Sequence, residues 1–129
     1  MVNRAIFVLI LLSVCGLVGC GQAMVKYDYQ EIYISPAITD RTQHIEESII
    51  QGCFDKHWTP GNPANGQVTA SINVRGRHQI TVLISYDDNG FSIAPVSTNM
   101  DNMFGRVHGK YNEWVIKLHS QITKRIAQN

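Results

Sequence analysis

The sequence has little charge of either sign. Asp, Glu, Lys and Arg make up 16% of its 129 residues, with 11 basic against 10 acidic side chains. A nucleic-acid-binding domain usually carries a clear basic excess, and a disordered tail usually carries a high net charge. The composition therefore disfavours both classes, and no nucleic-acid partner is expected. The length is that of a single domain.

A long apolar run is also missing. The longest extends from Ala5 to Val14, after a short amino-terminal region that carries Arg4. A hydrocarbon core of ~30 Å needs about 20 apolar residues, whereas the shorter run is typical of a signal peptide. The alternative interpretation is an amino-terminal transmembrane helix that reaches about Val18.

The run ends in Leu17-Val18-Gly19-Cys20, which resembles the lipobox of bacterial lipoproteins. The resemblance implies that residues 1–19 are a cleaved signal peptide and that Cys20 carries a diacylglycerol and an acylated amine. Acyl chains such as palmitate would then anchor the protein in the lipid bilayer. In that family, Asp directly after the cysteine retains the protein in the inner membrane. Because Gly21 stands there, the resemblance implies the outer membrane, facing the periplasm.

Cysteine is scarce, and the lipobox accounts for most of it. Cys15 leaves with the signal peptide and Cys20 is lipidated, so only Cys53 remains and no intramolecular disulfide can form. A free exposed thiol would be reactive in an oxidising compartment, so we expect Cys53 to be buried. Cleavage also removes Arg4, which leaves ten basic and ten acidic side chains in the mature chain.

The mature chain is predicted to consist of a lipidated amino terminus and tether at 20–38 and a single periplasmic domain at 39–129. Apolar and aromatic residues alternate between Tyr27 and Ile34, which predicts an edge strand within the tether. Ser35-Pro36 ends this segment.

A helix is expected after Asp40, whose side chain is a suitable N-cap with Gln43 as its capping-box partner. Gly52 weakens this helix by about 1 kcal/mol relative to Ala, and the prolines at 60 and 63 mark the connector that follows. The apolar stripe of the helix is formed by residues at helical spacing, with a histidine at its end: Ile45, Ile49, Ile50, Cys53, Phe54 and His57.

Strict alternation predicts two strands, one from Gln67 to Val74 and one from His78 to Tyr86, joined by a hairpin in which Gly76 adopts a positive φ. Asn89-Gly90 indicates a second turn. A third strand begins at Phe91, and Pro95 predicts that it lies at the sheet edge.

A loop is expected from Ser97 to Gly105, followed by an amphipathic helix. Its apolar residues fall at helical spacing: Tyr111, Trp114, Val115, Leu118, Ile122 and Ile126. The fold class is therefore α+β, a two-layer sandwich in the order (β)αβββα. A three-stranded antiparallel meander, with the tether strand as a candidate fourth, is covered by two helices.

Several of these segments form one ordered block between about Ile45 and Ile126. The block comprises Trp58 after the first helix, Gly66–Ile72, Arg75–His78, Val82–Asp87 and the closing pattern Val107-His108-x-x-Tyr111-Asn112-x-Trp114-Val115-x-x-Leu118. It resembles a family of small, uncharacterised bacterial lipoproteins. The resemblance implies fold and location, and it carries no activity. Ala94-Pro95 departs from the family pattern, which leaves the end of the third strand open.

Candidate chemistry is sparse. Cys53 and His57 lie four residues apart on the first helix and could face one metal ion, but no third ligand is apparent, so no metal is predicted. The alternative is a buried thiol and a histidine that packs beside Trp58. Arg75 and Arg77 at the hairpin tip could bind anionic lipid headgroups or a peptide carboxylate, or could be simply solvated.

No catalytic residues and no cofactor other than the lipid on Cys20 are predicted. The first functional hypothesis is a non-enzymatic interaction module that docks on a cell-envelope protein, with a sheet edge available for strand addition. The alternative is a small-ligand or metal-binding module that uses His78, His108 and Tyr111, although buried structural roles would also explain these residues. A cell-wall hydrolase ranks last, because no acid–base pair is found.

Overall fold

The computed structural model describes residues 23–99 and 109–128. Within them, two helices cover one face of a five-stranded antiparallel sheet. The elements are β1 (Tyr27–Glu31), α1 (Arg41–Asp55), β2 (Thr59–Pro60), β3 (Gln67–Val74), β4 (His78–Tyr86), β5 (Gly90–Thr98) and α2 (Gly109–Ala127). Their order across the sheet is β1-β5-β4-β3-β2. The predicted α+β class and two-layer arrangement are confirmed.

The number of strands differs from the prediction. Thr59 and Pro60, which the sequence assigns to a connector, pair with Ser71 and Ala70 and form the short edge strand β2. Asn65 and Gly66, both at positive φ, then turn the chain into β3. A strand of two residues that includes a proline has no detectable alternation, so periodicity could not find it.

The strand predicted near residue 27 is present and is part of the sheet. β1 pairs with the first half of β5, and Ile34, just after β1, is 4% exposed and belongs to the core. A Cβ atom on Gly90 would lie 1.9 Å from the Gln30 carbonyl oxygen. Glycine is thus required at position 90 because β1 approaches so closely, and not because the turn needs a positive φ.

The prediction that Pro95 places its strand at a sheet edge is wrong for the strand as a whole. β5 lies between β1 and β4, and it continues through Pro95 to Thr98. Pro95 is accommodated because β1 pairs with β5 only as far as Ile93, and because the pairing with β4 shifts register beside it. The second half of β5 thus lacks a neighbour on the β1 side, and sheet edges and bulges are the positions that tolerate proline.

Helix α1 begins as predicted. The Asp40 carboxylate accepts a hydrogen bond from the Gln43 backbone N–H at 3.0 Å. The Gln43 side chain instead donates to Glu47, so the reciprocal half of the capping box is not formed. Two predicted members of the apolar stripe are not buried: Phe54 is 56% exposed, and His57 lies beyond the end of the helix.

The core lies between the helices and the inner face of the sheet. Val68 and Ala70 of β3 and Ile80, Val82 and Ile84 of β4 point into it, together with the predicted apolar positions of α2. Gly52 allows the helices to pack closely, because a Cβ atom there would lie 2.8 Å from Cγ1 of Ile122. Among the described residues, no helix has the length and apolarity needed to cross a bilayer.

Candidate functional site

A groove of about 530 Å³ opens at the end of the molecule where α1 terminates and the β3–β4 hairpin turns. Trp58, 1% exposed, and the half-buried Trp114 of α2 contribute its aromatic surface. Three cationic side chains line it, Lys56, Arg75 and Lys117, and His57 lies among them. We call this the tryptophan groove. Its combination of indole surface and positive charge suits a ligand with an anionic group.

The carboxylate in the groove is already neutralised. Asp55 accepts hydrogen bonds from the Arg125 guanidinium, with Nη2 to Oδ1 at 2.8 Å, and from the Gln121 amide at 2.7 Å. These bonds, that from Arg125 first, lower the pKa of Asp55. Lys117 pairs with Glu113 at 3.0 Å, whereas no described carboxylate pairs with Lys56 or Arg75.

Two of the groove residues occupy an unusual backbone conformation. His57 has φ +66° and Arg75 has φ +57°, both in the left-handed region that glycine usually occupies. At His57 the cause is the end of α1, which has a Schellman arrangement. The His57 N–H donates to the Phe54 carbonyl, and the Trp58 N–H donates to the Cys53 carbonyl. The predicted positive φ at Gly76 is confirmed, and Arg75 shares the turn with it.

The amino-terminal segment is bound to the same end of the molecule. In the first turn of α2, the Asn112 amide donates to the Ala23 carbonyl at 2.8 Å and accepts from the Val25 N–H at 2.9 Å. Nothing in the sequence connects Asn112 with residues almost 90 positions away. His78 at the base of the hairpin lies 6.3 Å from the Trp114 ring, centroid to centroid, which places the hairpin beside α2.

Charge is distributed unevenly along the long axis of the sheet. The basic end consists of the tryptophan groove and the hairpin tip with Arg77, and its described acidic residues, Asp55 and Glu113, are both ion-paired. The opposite end carries the β4–β5 turn and the start of α1. These meet where the Arg41 guanidinium donates hydrogen bonds to the Asp88 backbone carbonyl and to the Asn89 side chain. Acidic residues predominate there: Glu31, Asp40, Glu46, Glu47, Asp87 and Asp88.

The face of the sheet opposite the helices has no charge on its three longest strands. We call it the open face. Its outward side chains are exposed or half-exposed. They are Gln67, Thr69, Ser71 and Asn73 on β3, Gln79, Thr81, Leu83 and Ser85 on β4, and Ser92, Ala94 and Ser97 on β5. The Ser71 and Thr81 hydroxyls lie 3.3 Å apart across two strands.

Two of the three predicted ligand residues lie in the described part of the chain. His78 is exposed, whereas Tyr111 is fully buried in the core, where desolvation raises its pKa to about 12. Neither lines the tryptophan groove. His108 lies outside the described residues, as does Cys20. Arg75 lines the groove, and Arg77 is exposed at the hairpin tip.

Cys53 is fully buried, as expected, and burial raises the pKa of its thiol to about 12. The backbone turns between Cys53 and His57, so the two side chains no longer share one helical face. No group of three or more His, Cys, Asp or Glu residues suited to a metal ion occurs in the described part of the chain.

Sequence reasoning missed several residues that define this end of the molecule. Lys56 and Lys117 look like ordinary solvated helix residues in the sequence, and only the crossing of α1 and α2 brings them to one groove. His119 was also missed. Its ring stacks on Tyr27 of β1 with centroids 3.7 Å apart, and burial lowers its pKa. No protein-family model matches this chain, and no solved structure is significantly similar to it.

Proposed function

We propose that the protein is a lipoprotein of the bacterial cell envelope, anchored through acyl chains on Cys20 and facing the periplasm from the outer membrane. Its folded domain acts as a non-enzymatic interaction module that docks on an envelope protein. The observation that carries the docking proposal is the open face, on which three adjacent strands present no charged side chain.

An uncharged sheet face is suited to docking. The centres of protein interfaces are depleted in charged residues, because burying an ion is costly unless it is paired. Short Ser and Thr side chains also lose less rotamer freedom on binding than Lys or Glu would lose. A partner can therefore cover the open face without desolvating a charge.

The polarity of the open face favours a different protein over a second copy of this chain. Homodimer interfaces are more apolar than the surfaces used by non-obligate partners. Leu83 and Ala94 are apolar, and Val96 of β5 is also exposed, whereas the other outward positions carry hydroxyls or amides. The occupant we infer is an envelope protein with an uncharged, hydrogen-bonding surface.

The sheet edges are less suited to strand addition than the sequence suggested. The edge strand β2 has two residues and includes Pro60, and β1 has five residues with a register shift between Tyr27 and Gln30. Short, irregular edges limit the main-chain hydrogen bonds that an added strand could form.

Crosslinking from a photoreactive residue in intact cells tests the docking proposal. Placed at Thr69 or Thr81 of the open face, the probe is expected to capture one and the same envelope protein. Thr42, an exposed position on α1, is the control. A Ser71→Lys substitution, which puts a charge between the two probe positions, should abolish the product without loss of folding. No discrete product, equal capture from Thr42, or a product made only of two copies of this chain would each contradict the proposal.

The anchor is tested separately, by mass spectrometry of the mature amino terminus combined with membrane fractionation. The expected product begins at Cys20 and carries fatty acid. A Cys20→Ser variant should remain unprocessed and unlipidated. Normal maturation of that variant would refute the lipobox assignment.

A further inference from the structure

The path of the amino-terminal segment fixes where the membrane must lie if Cys20 is lipidated. Ala23 and Val25 are held against the start of α2 by the Asn112 side chain. Three peptide units join Cys20 to Ala23, and an extended chain spans at most about 3.6 Å per residue, so the lipidated residue lies within roughly 11 Å of Ala23. Only residues 20–22 of the segment 20–38 precede the part that is held against α2, and these three residues are too few to act as a long tether.

The same end of the molecule carries positive charge that no ion pair among the described residues neutralises. Among the described residues, no carboxylate pairs with Lys56, Arg75 or Arg77, and both arginines are exposed at the hairpin tip. The acidic residues that predominate at the opposite end lie at the far end of β4 from this hairpin. An anionic surface near Cys20 would therefore be attracted by the nearby basic end and repelled only weakly by the distant acidic end.

The tryptophan groove suits a phosphate-bearing headgroup. Its volume of about 530 Å³ is bordered by Lys56 and Arg75, and the half-buried Trp114 offers an indole surface at the same place. Indole rings are favoured at the membrane–water interface, and Lys and Arg bind phosphate through charge-assisted hydrogen bonds.

We propose that the basic end of the domain, formed by the tryptophan groove and the hairpin tip, rests on the membrane that holds the acyl chains and binds the phosphates of anionic phospholipids. The proposal rests on the lipid anchor of the proposed function. It orients the domain so that the helices and the open face run away from the bilayer, which leaves the open face accessible to an envelope protein. Anionic headgroups are the source of phosphate because the short amino-terminal segment keeps them within reach.

Tryptophan fluorescence of the lipidated full-length protein in vesicles tests this orientation. The chain has two tryptophans, and Trp58 is 1% exposed, so a water-soluble quencher reports on Trp114. Vesicles of phosphatidylcholine alone are compared with vesicles that also contain phosphatidylglycerol. We expect Trp114 to be protected from the quencher only with the anionic lipid, and the protection to weaken at high salt, where the Debye length falls from about 10 Å to about 3 Å.

Matched substitutions identify the cations responsible. Arg77→Gln should reduce the protection, because each basic residue near an anionic surface changes the bound-to-free ratio by about fivefold. Adding Arg75→Asn, whose side chain tolerates the left-handed backbone there, should reduce it by a similar factor again. Lys124→Gln removes an exposed charge near the other end of α2 and should leave the protection unchanged.

Failure of this proposal can be told apart from failure of the lipid anchor. Without an anchor, the protein would not sediment with vesicles of phosphatidylcholine alone. If the protein sediments with both but Trp114 is quenched equally in both, the anchor stands and the headgroup contact is refuted. Protection of Trp114 by inorganic phosphate in the absence of vesicles would also overturn the proposal, since the groove would then be a site for free anions.

Discussion

Gly52 shows how a residue that weakens a helix locally can stabilise the fold. It lies within α1, where Ala would be favoured by about 1 kcal/mol. However, a Cβ atom at this position would lie 2.8 Å from Cγ1 and 3.2 Å from Cα of Ile122, and the second of these atoms belongs to the backbone of α2. The contact between the two helices therefore depends on the missing side chain.

We predict that Gly52→Ala lowers the free energy of unfolding by about 1–3 kcal/mol, because overpacking of the helix contact outweighs the gain in helix propensity. Urea denaturation measures the change. Gln51→Ala, at an exposed position next to it, should have a small effect. A Gly52→Ala protein more stable than the wild type would show that helix propensity dominates.

At His57 the presence of a side chain is what costs energy. The backbone has φ +66°, in the left-handed region that favours glycine, but the residue is a histidine. The left-handed conformation costs an L-residue about 1–2 kcal/mol, whereas the entropic cost of glycine is about 0.5–1 kcal/mol. We predict that His57→Gly raises the free energy of unfolding by up to about 1 kcal/mol, measured by denaturation. Lys56→Gly, at a negative φ, should lower it. A less stable His57→Gly protein would mean that the imidazole contributes packing that exceeds the backbone strain.

Among the elements, β1 is held in place by contacts with neighbouring elements more than by an apolar pattern in its own sequence. Four of its five residues are exposed, and its inner side chain is Tyr27, which stacks on His119 of α2. The His119 ring also lies 5.1 Å from the Phe91 ring of β5, centroid to centroid. One histidine thus connects the helix layer with two strands at the edge of the sheet.

The docking of β1 should be pH-dependent. Burial lowers the pKa of His119 in the folded protein below its ordinary value of 6.5, so the neutral ring is favoured by folding. Its contribution to stability is complete above about pH 6.5 and is lost as the pH falls from there through the folded-state pKa. Carboxylates with lowered pKa, such as Asp55 and Asp87, act in a separate window below about pH 4.

We therefore expect a drop in the free energy of unfolding as the pH falls below about 6.5. His119→Phe keeps an aromatic ring beside Tyr27 without a titrating group, and it should remove this drop. Exposed His78, replaced in the same way, serves as the control. If the His119→Phe protein loses as much stability as the wild type over this range, another group is responsible.

For the whole molecule, nearly equal numbers of acidic and basic residues, 10 and 11, conceal a separation of charge. The basic end lies where the amino-terminal segment leaves the fold, and acidic residues gather at the other end of β4. In the orientation we propose, the distance between Cys20 and Ala23 determines how strongly the basic end contacts the membrane. A flexible linker lowers the effective local concentration of the two surfaces.

Lengthening that connection tests the proposed orientation on the membrane. A Gly/Ser linker inserted between Gln22 and Ala23 should decrease the phosphatidylglycerol-dependent protection of Trp114, measured by quenching in vesicles. The same linker added after Gln128 should leave it unchanged. Equal protection with the long and short connections would show that the headgroup contact does not depend on tethering.

The sequence determined the features that depend on neighbouring residues. Alternation in 67–74 and 78–86 specified β3, β4 and their buried face, and the Asp40 cap and helical spacing specified α1 and α2. These patterns are readable because burial of one face repeats every two residues in a strand and every 3.6 in a helix. The two-layer arrangement followed, since each apolar face needs another to cover it.

The tertiary structure decided what depends on residues distant in the chain. Packing between elements decides several features: the edge strand β2, the position of β5 between β1 and β4, and the Asn112 contact with Ala23 and Val25. It also gathers Lys56, Arg75 and Lys117 around Trp114. Periodicity carries no information about which elements become neighbours at their ends. For that reason the sequence could name Arg75 and Arg77 as candidates, whereas the groove beside them emerged only from the crossing of the two helices.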